Sequence, residues 1–157
     1  MKKNIQVLIY LCILSSLPCY AGDNTHYYFK TLDIQNGLSQ NTVNTILQDK
    51  QGFMWFGTQD ALNRYDGLSF RIFKREDGCG LGNKFITVLH EDEEGYIWIG
   101  TGAGVYIYNP VLESITAFDM ISDTGDSISR NISMIDSDEN GNVCNNAETY
   151  LRECKRV

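Results

Sequence analysis

Short segments in which apolar side chains fall on every second residue are spread along the chain between clusters of turn residues. Val43, Thr45 and Leu47 share one face of residues 42–48, and a period of two predicts a β-strand. Residues 53–58 are apolar on both faces, which is typical of a short strand that is covered on both sides. The pattern therefore predicts an all-β chain of short strands.

The predicted strands form two sets of four that are joined by tight turns. Residues 49–52 make the first reversal, since the Asp carboxylate accepts backbone N–H bonds and the fourth position suits glycine. A third set opens at residues 131–135, but only one strand and its turn follow the pattern. The strands are expected at residues 42–48, 53–58, 62–65 and 69–73, and again at residues 86–91, 96–101, 105–108 and 114–118.

One motif is repeated along these sets. Residues 49–58 recur as residues 92–101, with a constant offset of 43 residues. A third copy begins at Asp138, 46 residues after the second, and it fails at Cys144, where tryptophan is expected. A period of about 40–45 residues is that of one four-stranded propeller blade. The predicted fold is therefore all-β, with four-stranded antiparallel β-propeller blades at a period of about 43 residues, in an incomplete propeller.

The repeat also divides the chain into segments. We expect a signal peptide, an opening outer strand with a linker, blade 1, blade 2, part of a third blade and an off-pattern tail. Residues 27–30 are assigned to the outer strand because they resemble the end of the fourth strand at residues 70–74. Loss of register at Cys144 suggests a truncated or frameshifted reading frame. The predicted segments are 1–21, 22–37, 38–80, 81–127, 128–143 and 144–157, in that order.

The N-terminus has the features of a secretory signal peptide. Lys2 and Lys3 provide a positive end, and the apolar run at residues 5–17 is shorter than the roughly 20 residues of a spanning helix. The small residues Cys19 and Ala21 predict cleavage after Ala21. A retained membrane anchor and a lipoprotein attached through Cys19 are the alternatives. The expected location of the mature chain is the periplasm.

The charge and the cysteines disfavour several classes of partner. The chain has 13 basic and 20 acidic residues, and removal of the two lysines of the signal changes its net charge from −7 to −9. This balance disfavours nucleic acid and anionic membrane surfaces. Cys79, Cys144 and Cys154 would remain without a CxxC or Cys/His spacing, which disfavours zinc. We therefore expect no cofactor and no metal.

Residues that recur with the repeat are assigned structural roles. Each tryptophan is expected to fill the space between blades, and the glycine two residues later to let the next sheet approach. Stacking of the tryptophans on a sugar is the alternative. Each aspartate is expected to cap its turn and not to serve as an acid catalyst or a calcium ligand. This motif comprises Asp49, Gly52, Trp55, Gly57, Asp92, Gly95, Trp98, Gly100, Asp138 and Gly141.

Four side chains are weak candidates for ligand binding. Arg64 and Tyr65 form a polar–aromatic pair in the third strand, and Tyr106 and Tyr108 are their neighbours in the next blade. Inner strands line the channel of a propeller, so a ligand could contact such side chains. Packing and surface roles are the alternatives.

The two copies of the motif resemble the two-component regulator propeller repeat. Residues 49–65 read Asp-x-x-Gly-x-x-Trp-x-Gly-Thr-x-x-x-Leu-x-x-Tyr, and residues 92–108 repeat this run with Val for Leu. Residues 36–39, Asn-Gly-Leu-Ser, are also similar to the family, and the resemblance covers about residues 24–143. It implies periplasmic propellers at the N-terminus of inner-membrane sensors. These are often hybrid histidine kinases with receiver and DNA-binding domains, and many of them sense oligosaccharides.

The resemblance implies a non-catalytic, ligand-sensing segment of a phosphorelay protein. A propeller glycosidase or lyase and a protein-interaction propeller are the alternatives. Asp-box enzymes have a turn one residue shorter and need clustered carboxylates or arginines facing the channel. We assign no catalytic residue, because no such set recurs among Arg64, Arg71, Arg75 and Arg130, and His26 and His90 are isolated.

The expected partners are the remaining blades of a full-length sensor and an oligosaccharide. Two blades and part of a third leave sheet edges and outer faces uncovered. We therefore expect marginal folding, with oligomers or aggregates that form through the open edges.

Overall fold

The computed structural model describes residues 27–118, 131–138, 141 and 143–145 of the chain. The chain divides into a unit of residues 1–30 and a unit of residues 31–157. In the first unit, residues 27–30 have no regular secondary structure and their side chains are exposed. The outer strand expected there would pair with a further blade outside the described residues, so it stays a prediction. The predicted signal peptide lies outside the described residues.

Two four-stranded antiparallel sheets, blade 1 and blade 2, make up most of the second unit. In each sheet the spatial order of the strands follows the chain. This confirms the all-β fold of propeller blades, and the strand ends differ from the predicted ones by one residue at most. Blade 1 consists of β1 (Val43–Gln48), β2 (Met54–Thr58), β3 (Leu62–Tyr65) and β4 (Phe70–Phe73), and blade 2 of β5 (Ile86–Glu91), β6 (Ile97–Thr101), β7 (Gly104–Asn109) and β8 (Ser114–Phe118).

The turn between the first and second strands is built in the same way in both blades. The amide of Gly52 donates to the carbonyl oxygen of Asp49 at 2.9 Å, and the amide of Gly95 donates to that of Asp92 at 3.1 Å. Gly52 and Gly95 have φ angles of 92° and 87°. This left-handed backbone is accessible to glycine at no steric cost, which explains why the same residue type occupies both turns.

A bulge at the start of the first strand links each blade to the next. The register shifts between Val43 and Thr45 in β1 and at the equivalent place in β5. The extra residues are Asn44 and Thr87. The amide nitrogen Nδ2 of Asn44 donates to the carbonyl oxygen of Ile86 at 2.7 Å, and the Thr87 hydroxyl donates to the carbonyl oxygen of Ile132. A bulge leaves a residue outside the ladder, and here that residue bonds to the following blade.

The main hydrophobic core joins blade 1 to blade 2. Trp55 is fully buried, and its ring lies 5.7 Å from that of Phe73 in its own blade and 4.8 Å from that of Tyr108 in blade 2. Aromatic side chains bury large areas, so they dominate the packing of such an interface. The buried aliphatic members of this core are Leu62, Leu81, Ile86, Leu89, Ile97, Ile99 and Ile115.

The second glycine of each motif copy lies in close contact with the next part of the repeat. A Cβ atom on Gly57 would lie 2.6 Å from the Cγ2 atom of Ile86. A Cβ atom on Gly100 would lie 2.9 Å from the Cγ2 atom of Ile132, which follows blade 2 in the chain. Carbon atoms in contact are normally about 3.5–4.0 Å apart, so any side chain at these positions would push the neighbouring blade away.

The described part of the third repeat, residues 131–138, 141 and 143–145, is called the third unit below. It contains a two-stranded antiparallel sheet of β9 (Ile135–Ser137) and β10 (Val143–Asn145). Residues 131–134, predicted as part of a strand, have no regular secondary structure, because the amide of Ile132 donates to the carbonyl oxygen of Thr101 in blade 2. β10 extends two residues into the predicted off-pattern tail, since ladder pairing uses backbone groups and does not require tryptophan. Residues 146–157 lie outside the described residues.

A second hydrophobic core joins blade 2 to the third unit. Trp98 and Val105 of blade 2 pack with Ile132, Ile135 and Val143. The third unit therefore covers the Trp98 face of blade 2, just as blade 2 covers the Trp55 face of blade 1. Interfaces between neighbours of this kind stabilise repeat proteins.

Candidate functional site

The third strand is not where the two blades contact each other most extensively. That contact runs between β1 and β5, the first strands of each blade. Arg64 and Tyr65 lie on β3, two strands further out in the sheet. The two candidates of β3 therefore lie away from the contact between the first strands, and their place beside a channel stays a prediction.

Two arginines nevertheless lie side by side on the face of blade 1 that meets blade 2. Arg64 of β3 and Arg71 of β4 are direct cross-strand partners, and Arg64 is in turn paired with Trp55 of β2. Residues that pair directly across antiparallel strands point to the same face of the sheet. Two like charges placed in this way destabilise a sheet unless a counter-charge lies nearby.

Arg64 is held by an aromatic ring and by two groups of blade 2. Its guanidinium carbon lies 4.5 Å from the ring centroid of Phe53, within the range of a cation–π contact. Its Nη1 donates to the hydroxyl oxygen of Tyr108 at 2.8 Å and to Oε1 of Glu113 at 3.2 Å. The side chain is 15% exposed. Arg64 thus places a fixed charge in the contact between blade 1 and blade 2, which is called the seam below.

Glu113 supplies the counter-charge from the turn between β7 and β8. Its Oε1 accepts from Arg64, and its Oε2 accepts from Nη1 of Arg71 at 2.7 Å. The hydrogen bond from Arg71, and then that from Arg64, hold the pKa of the Glu113 carboxyl below its usual value. Its φ angle of 48° is the only positive one of a non-glycine residue in the part of the chain that the structure describes.

Tyr108 is the buried member of this site. It is 2% exposed, and burial raises the pKa of its phenol, because the charged form would lose its hydration. Its hydroxyl accepts from Arg64 while its ring packs against Trp55 and Phe73. The residue therefore anchors the polar site directly to the main core.

The remaining two candidates lie apart from this cluster. The hydroxyl of Tyr65 donates to the carbonyl oxygen of Gly67 at 2.6 Å, and its ring packs on Phe70 at 4.7 Å. Tyr106 packs at the margin of the main core, with its hydroxyl beside Gly82. The structure brings together Arg64 and Tyr108 but not Tyr65 and Tyr106.

Sequence reasoning did not assign Arg71 and Glu113 to a site. A signal was present, because neither arginine of the pair recurs in blade 2. There the ladder that contains Trp98 continues with Ile107 and Thr116, where blade 1 has Trp55, Arg64 and Arg71. Packing must recur in a repeat, whereas a site for one ligand need not, so polar residues that break the repeat are the better candidates.

Asp49 is used twice within its own turn. Its Oδ1 accepts from the backbone amides of Gln51 and Phe53 at 3.0 and 2.8 Å. Its Oδ2 accepts from the indole Nε1 of Trp55 at 2.7 Å. The carboxylate therefore caps the turn and fixes the indole of the following strand, a bond that the sequence pattern did not predict.

Asp92 makes the same three bonds in blade 2. Its Oδ1 accepts from the amides of Glu94 and Tyr96 at 3.0 and 2.9 Å, and its Oδ2 accepts from Nε1 of Trp98 at 2.8 Å. In the third unit the turn recurs, with the amide of Gly141 donating to the carbonyl oxygen of Asp138 at 3.0 Å. Cys144 stands in the tryptophan position and has no indole to donate.

The threonine that ends each motif closes the next turn. Oγ1 of Thr58 donates to the carbonyl oxygen of Ala61 at 2.9 Å, and Oγ1 of Thr101 donates to that of Gly104 at 2.8 Å. Both threonines are fully buried. A buried hydroxyl is stable only when it is hydrogen-bonded, so this residue type is also explained by local structure.

Metal-binding and nucleophilic side chains are scattered. In residues 27–118 and the described part of the third unit, no group of three or more His, Cys, Asp or Glu side chains could hold a metal ion. Nε2 of His90 lies 2.6 Å from Oγ of Ser137, which links blade 2 to the third unit. The half-buried Cys79 donates through Sγ to the carbonyl oxygen of Lys74 at 3.1 Å.

A family model described as "Two component regulator propeller" matches residues 37–60 and 80–103, which contain the two copies of the motif. These two segments are thus similar to the repeats of two-component regulator propellers. Histidine kinase P4 of Formosa agariphila is 43% identical to this chain over 53 residues, which are 34% of this chain and 4% of that protein. The chain thus spans a small part of a curated relative that it matches.

Two solved structures that resemble this chain are extracellular domains. The extracellular domain of BT3049 from B. thetaiotaomicron, described as a hybrid two-component system, matches 76% of this chain with 27% identity and a TM-score of 0.66. That of BT4673, from the same organism, matches 76% with 20% identity and a TM-score of 0.65, which supports the fold alone. The chain covers 18% and 17% of these domains. Within its described residues, no helix is long and apolar enough to cross a membrane.

Proposed function

We propose that this chain is a segment of the periplasmic, ligand-sensing propeller of a hybrid two-component signalling protein. The observation that carries the proposal is the pair of regulator repeats in register, folded as two successive blades that superpose on the extracellular domain of BT3049. In this proposal the signal peptide at residues 1–21 directs the propeller across the inner membrane, and the kinase belongs to the same longer protein.

The proposed signal is an oligosaccharide released from a glycan. Support comes from the non-recurring polar cluster of Arg64, Arg71, Tyr108 and Glu113 at the seam between the blades. Charged groups beside aromatic rings are a common way to position polar ligands. A ligand that contacts both blades would change how they pack against each other. Such a change would alter the contacts of these blades with the other blades of the proposed full-length propeller.

The segment itself is proposed to be non-catalytic. Asp49 and Asp92 use both carboxylate oxygens for turns and indoles, so neither is available as one of the paired carboxylates that glycoside hydrolysis needs. Arg64 and Arg71 share a single carboxylate, that of Glu113. These bonds favour binding over the alternative of a glycosidase or lyase.

The remaining blades of a full-length sensor are the proposed partners of the outer faces. On the face of blade 1 that does not meet blade 2, Ile46 is 58% exposed, and Met54, Phe56 and Phe70 are half-buried. Exposed apolar side chains that lie together mark an interaction surface. A further blade packed on this surface would bury them, as blade 1 buries the equivalent face of blade 2.

Transcription in the source organism tests this function. Cells that carry the gene in its native context are grown on single polysaccharides, and transcripts of the neighbouring genes are measured. We expect one polysaccharide to induce them. A chromosomal Gly57→Val change should abolish the induction, because its side chain would collide with Ile86 and open the seam.

Thr116→Val serves as the matched control. It also places a β-branched apolar side chain on a strand, but Thr116 is exposed on β8. Induction should persist in this variant. A full response in the Gly57→Val strain, or no response of the wild type to any polysaccharide, would contradict the proposed function.

A further inference from the structure

In the cluster at the seam, two arginines contact the same carboxylate. Two guanidinium groups, those of Arg64 and Arg71, share one carboxylate, that of Glu113. The charge of Asp49 also acts on Tyr108, but the oxygens of Asp49 accept from its own turn and from the indole of Trp55. In blade 2 the equivalent positions hold Ile107 and Thr116. The fold therefore does not require arginines at these positions.

Glu113 contacts the two arginines in the way that a carboxylate ligand would. Each of its oxygens accepts from a different guanidinium, at 3.2 Å from Arg64 and 2.7 Å from Arg71. Charge-assisted bonds of this type are the usual means of carboxylate and sulfate recognition by arginine. The side chain of Arg71 is 46% exposed and that of Glu113 is 49% exposed. A ligand could therefore reach Arg71 from solvent, and it would reach the less exposed Arg64 only by taking the place of Glu113.

Both guanidinium groups are positioned before any ligand arrives. Arg64 lies over the ring of Phe53 at 4.5 Å, and Arg71 lies over the ring of Phe73 at 4.9 Å. The bond from Arg64 to the buried hydroxyl of Tyr108 fixes it further. Pre-organised donors lose less conformational entropy on binding, which favours an exchange of one carboxylate for another.

The turn that carries Glu113 lies between Asn109 and Ser114, which are ladder partners at the ends of β7 and β8. Oδ1 of Asn109 accepts from the amides of Val111 and Leu112, whose side chains are 87% and 71% exposed. Glu113 itself has the left-handed φ angle of 48°, a conformation that glycine and asparagine adopt more readily. Its position is therefore maintained by the arginines rather than by its backbone preference.

We propose that Arg64 and Arg71 form a subsite for an anionic group of an oligosaccharide, a carboxylate or a sulfate, and that Glu113 occupies this subsite when no ligand is bound. The ligand displaces Glu113 and breaks the ion pairs that connect blade 1 to the β7–β8 turn of blade 2. This inference rests on the proposed function, and it specifies the class of saccharide and the point at which binding would change the seam.

Calorimetric titration of the full chain tests the subsite. The probes are a tetramer of galacturonic acid for the carboxylate, a chondroitin sulfate tetrasaccharide for the sulfate, and cellotetraose as a neutral saccharide of the same length. We expect at least one acidic probe to bind and the neutral one not to bind. Circular dichroism of each variant establishes that it is folded.

Three variants separate a binding site from a structural ion pair. Arg71→Gln should weaken binding by about tenfold or more, the loss of one charge-assisted bond. Arg75→Gln removes the same charge from an exposed residue outside the cluster and should leave binding unchanged. Glu113→Gln should tighten binding by a few-fold, because the competing carboxylate is removed. If the ion pairs of Glu113 were purely structural, Glu113→Gln would not bind the acidic probe more tightly than the wild type does.

The outcomes distinguish this inference from the function on which it rests. Binding of cellotetraose alone would overturn the anionic subsite and leave saccharide sensing in place. Failure of every probe to bind, or weaker binding by Glu113→Gln, would also overturn the subsite. Polysaccharide-dependent transcription is a separate readout and would decide on the proposed function independently.

Discussion

Blade 1 and blade 2 present the same face in two different surroundings. In blade 2, Leu89 is 8% exposed and Ile99 is fully buried, because blade 1 packs against them. Their equivalents 43 residues earlier in blade 1 are Ile46, which is 58% exposed, and Phe56, which is half-buried. The repeat thus specifies an apolar face, but only a neighbouring blade decides whether that face becomes a core.

The two blades also differ in what breaks the repeat. The aspartate–tryptophan bond, the turn glycine and the close-packed glycine occur in both. The cluster of Arg64, Arg71 and Glu113 occurs once, at the seam between them. Recurring residues are explained by packing and hydrogen bonding within each blade, whereas this cluster is not needed by the second copy of the fold.

The largest expected difference lies between two equivalent aliphatic side chains. Leu89→Ala should lower the free energy of unfolding by about 3 kcal/mol, since it leaves a cavity in the main core. Ile46→Ala should lower it by about 0.5 kcal/mol or less, as surface substitutions do. Urea unfolding monitored by circular dichroism measures both. Equal losses would mean that Ile46 is covered by another molecule or that the blades do not pack as described.

A smaller difference is expected between the two tryptophans. Trp55→Phe should lower the free energy of unfolding by about 2 kcal/mol, because it removes the indole that donates to the buried Asp49 carboxylate. Trp98→Phe should lower the free energy of unfolding by about 1 kcal/mol, since Asp92 is only half-buried and water can take the place of the indole. The same unfolding experiment compares them, and the reverse order would contradict the assignment of Asp49 to the more buried site.

The smallest effect concerns the pH dependence of the seam. The pKa of Glu113 is lowered in the folded chain from the ordinary value of 4.5, so its contribution to stability is complete above that pH. The contribution is lost as the pH falls through the lowered pKa. The melting temperature of the wild type should therefore exceed that of Glu113→Gln at pH 6, and the difference should shrink below pH 4. High salt should reduce the difference as well, because both partners are partly exposed. A constant difference would contradict an ionic contribution.

Much of the fold could be predicted from the motif. The turn was predicted from Asp49 and Gly52. The alternation around Val43 and Leu47 predicted a strand whose ends agree with the observed ones to within one residue. The prediction at residues 131–134 was wrong because the backbone of Ile132 bonds to blade 2 and not to a strand of its own sheet. Periodicity identifies a segment that can pair, but it does not choose the partner.

Less of the candidate site could be predicted. Arg64 and Tyr108 were identified as candidates from their residue types, yet Tyr65 and Tyr106 were considered equally and lie elsewhere. Arg71 and Glu113 were missed because they are 42 residues apart. Their contact depends on how one sheet stacks on the next, and no local pattern in the sequence reports that geometry.

The sequence by itself determined the all-β class, the blade length, the turns and the residues that must recur, because these depend on interactions within a few residues or on a strict period. Only the tertiary structure decided which face of each blade is buried, that the aspartate of each turn holds the indole of the following strand, and that two arginines of blade 1 share a glutamate of blade 2. The last of these joins residues of different blades, whose separation in space is set by the packing of Gly57 against Ile86 and of Trp55 against Tyr108. Such packing depends on how the surfaces of the two blades fit together, and the sequence of one blade alone does not specify that fit.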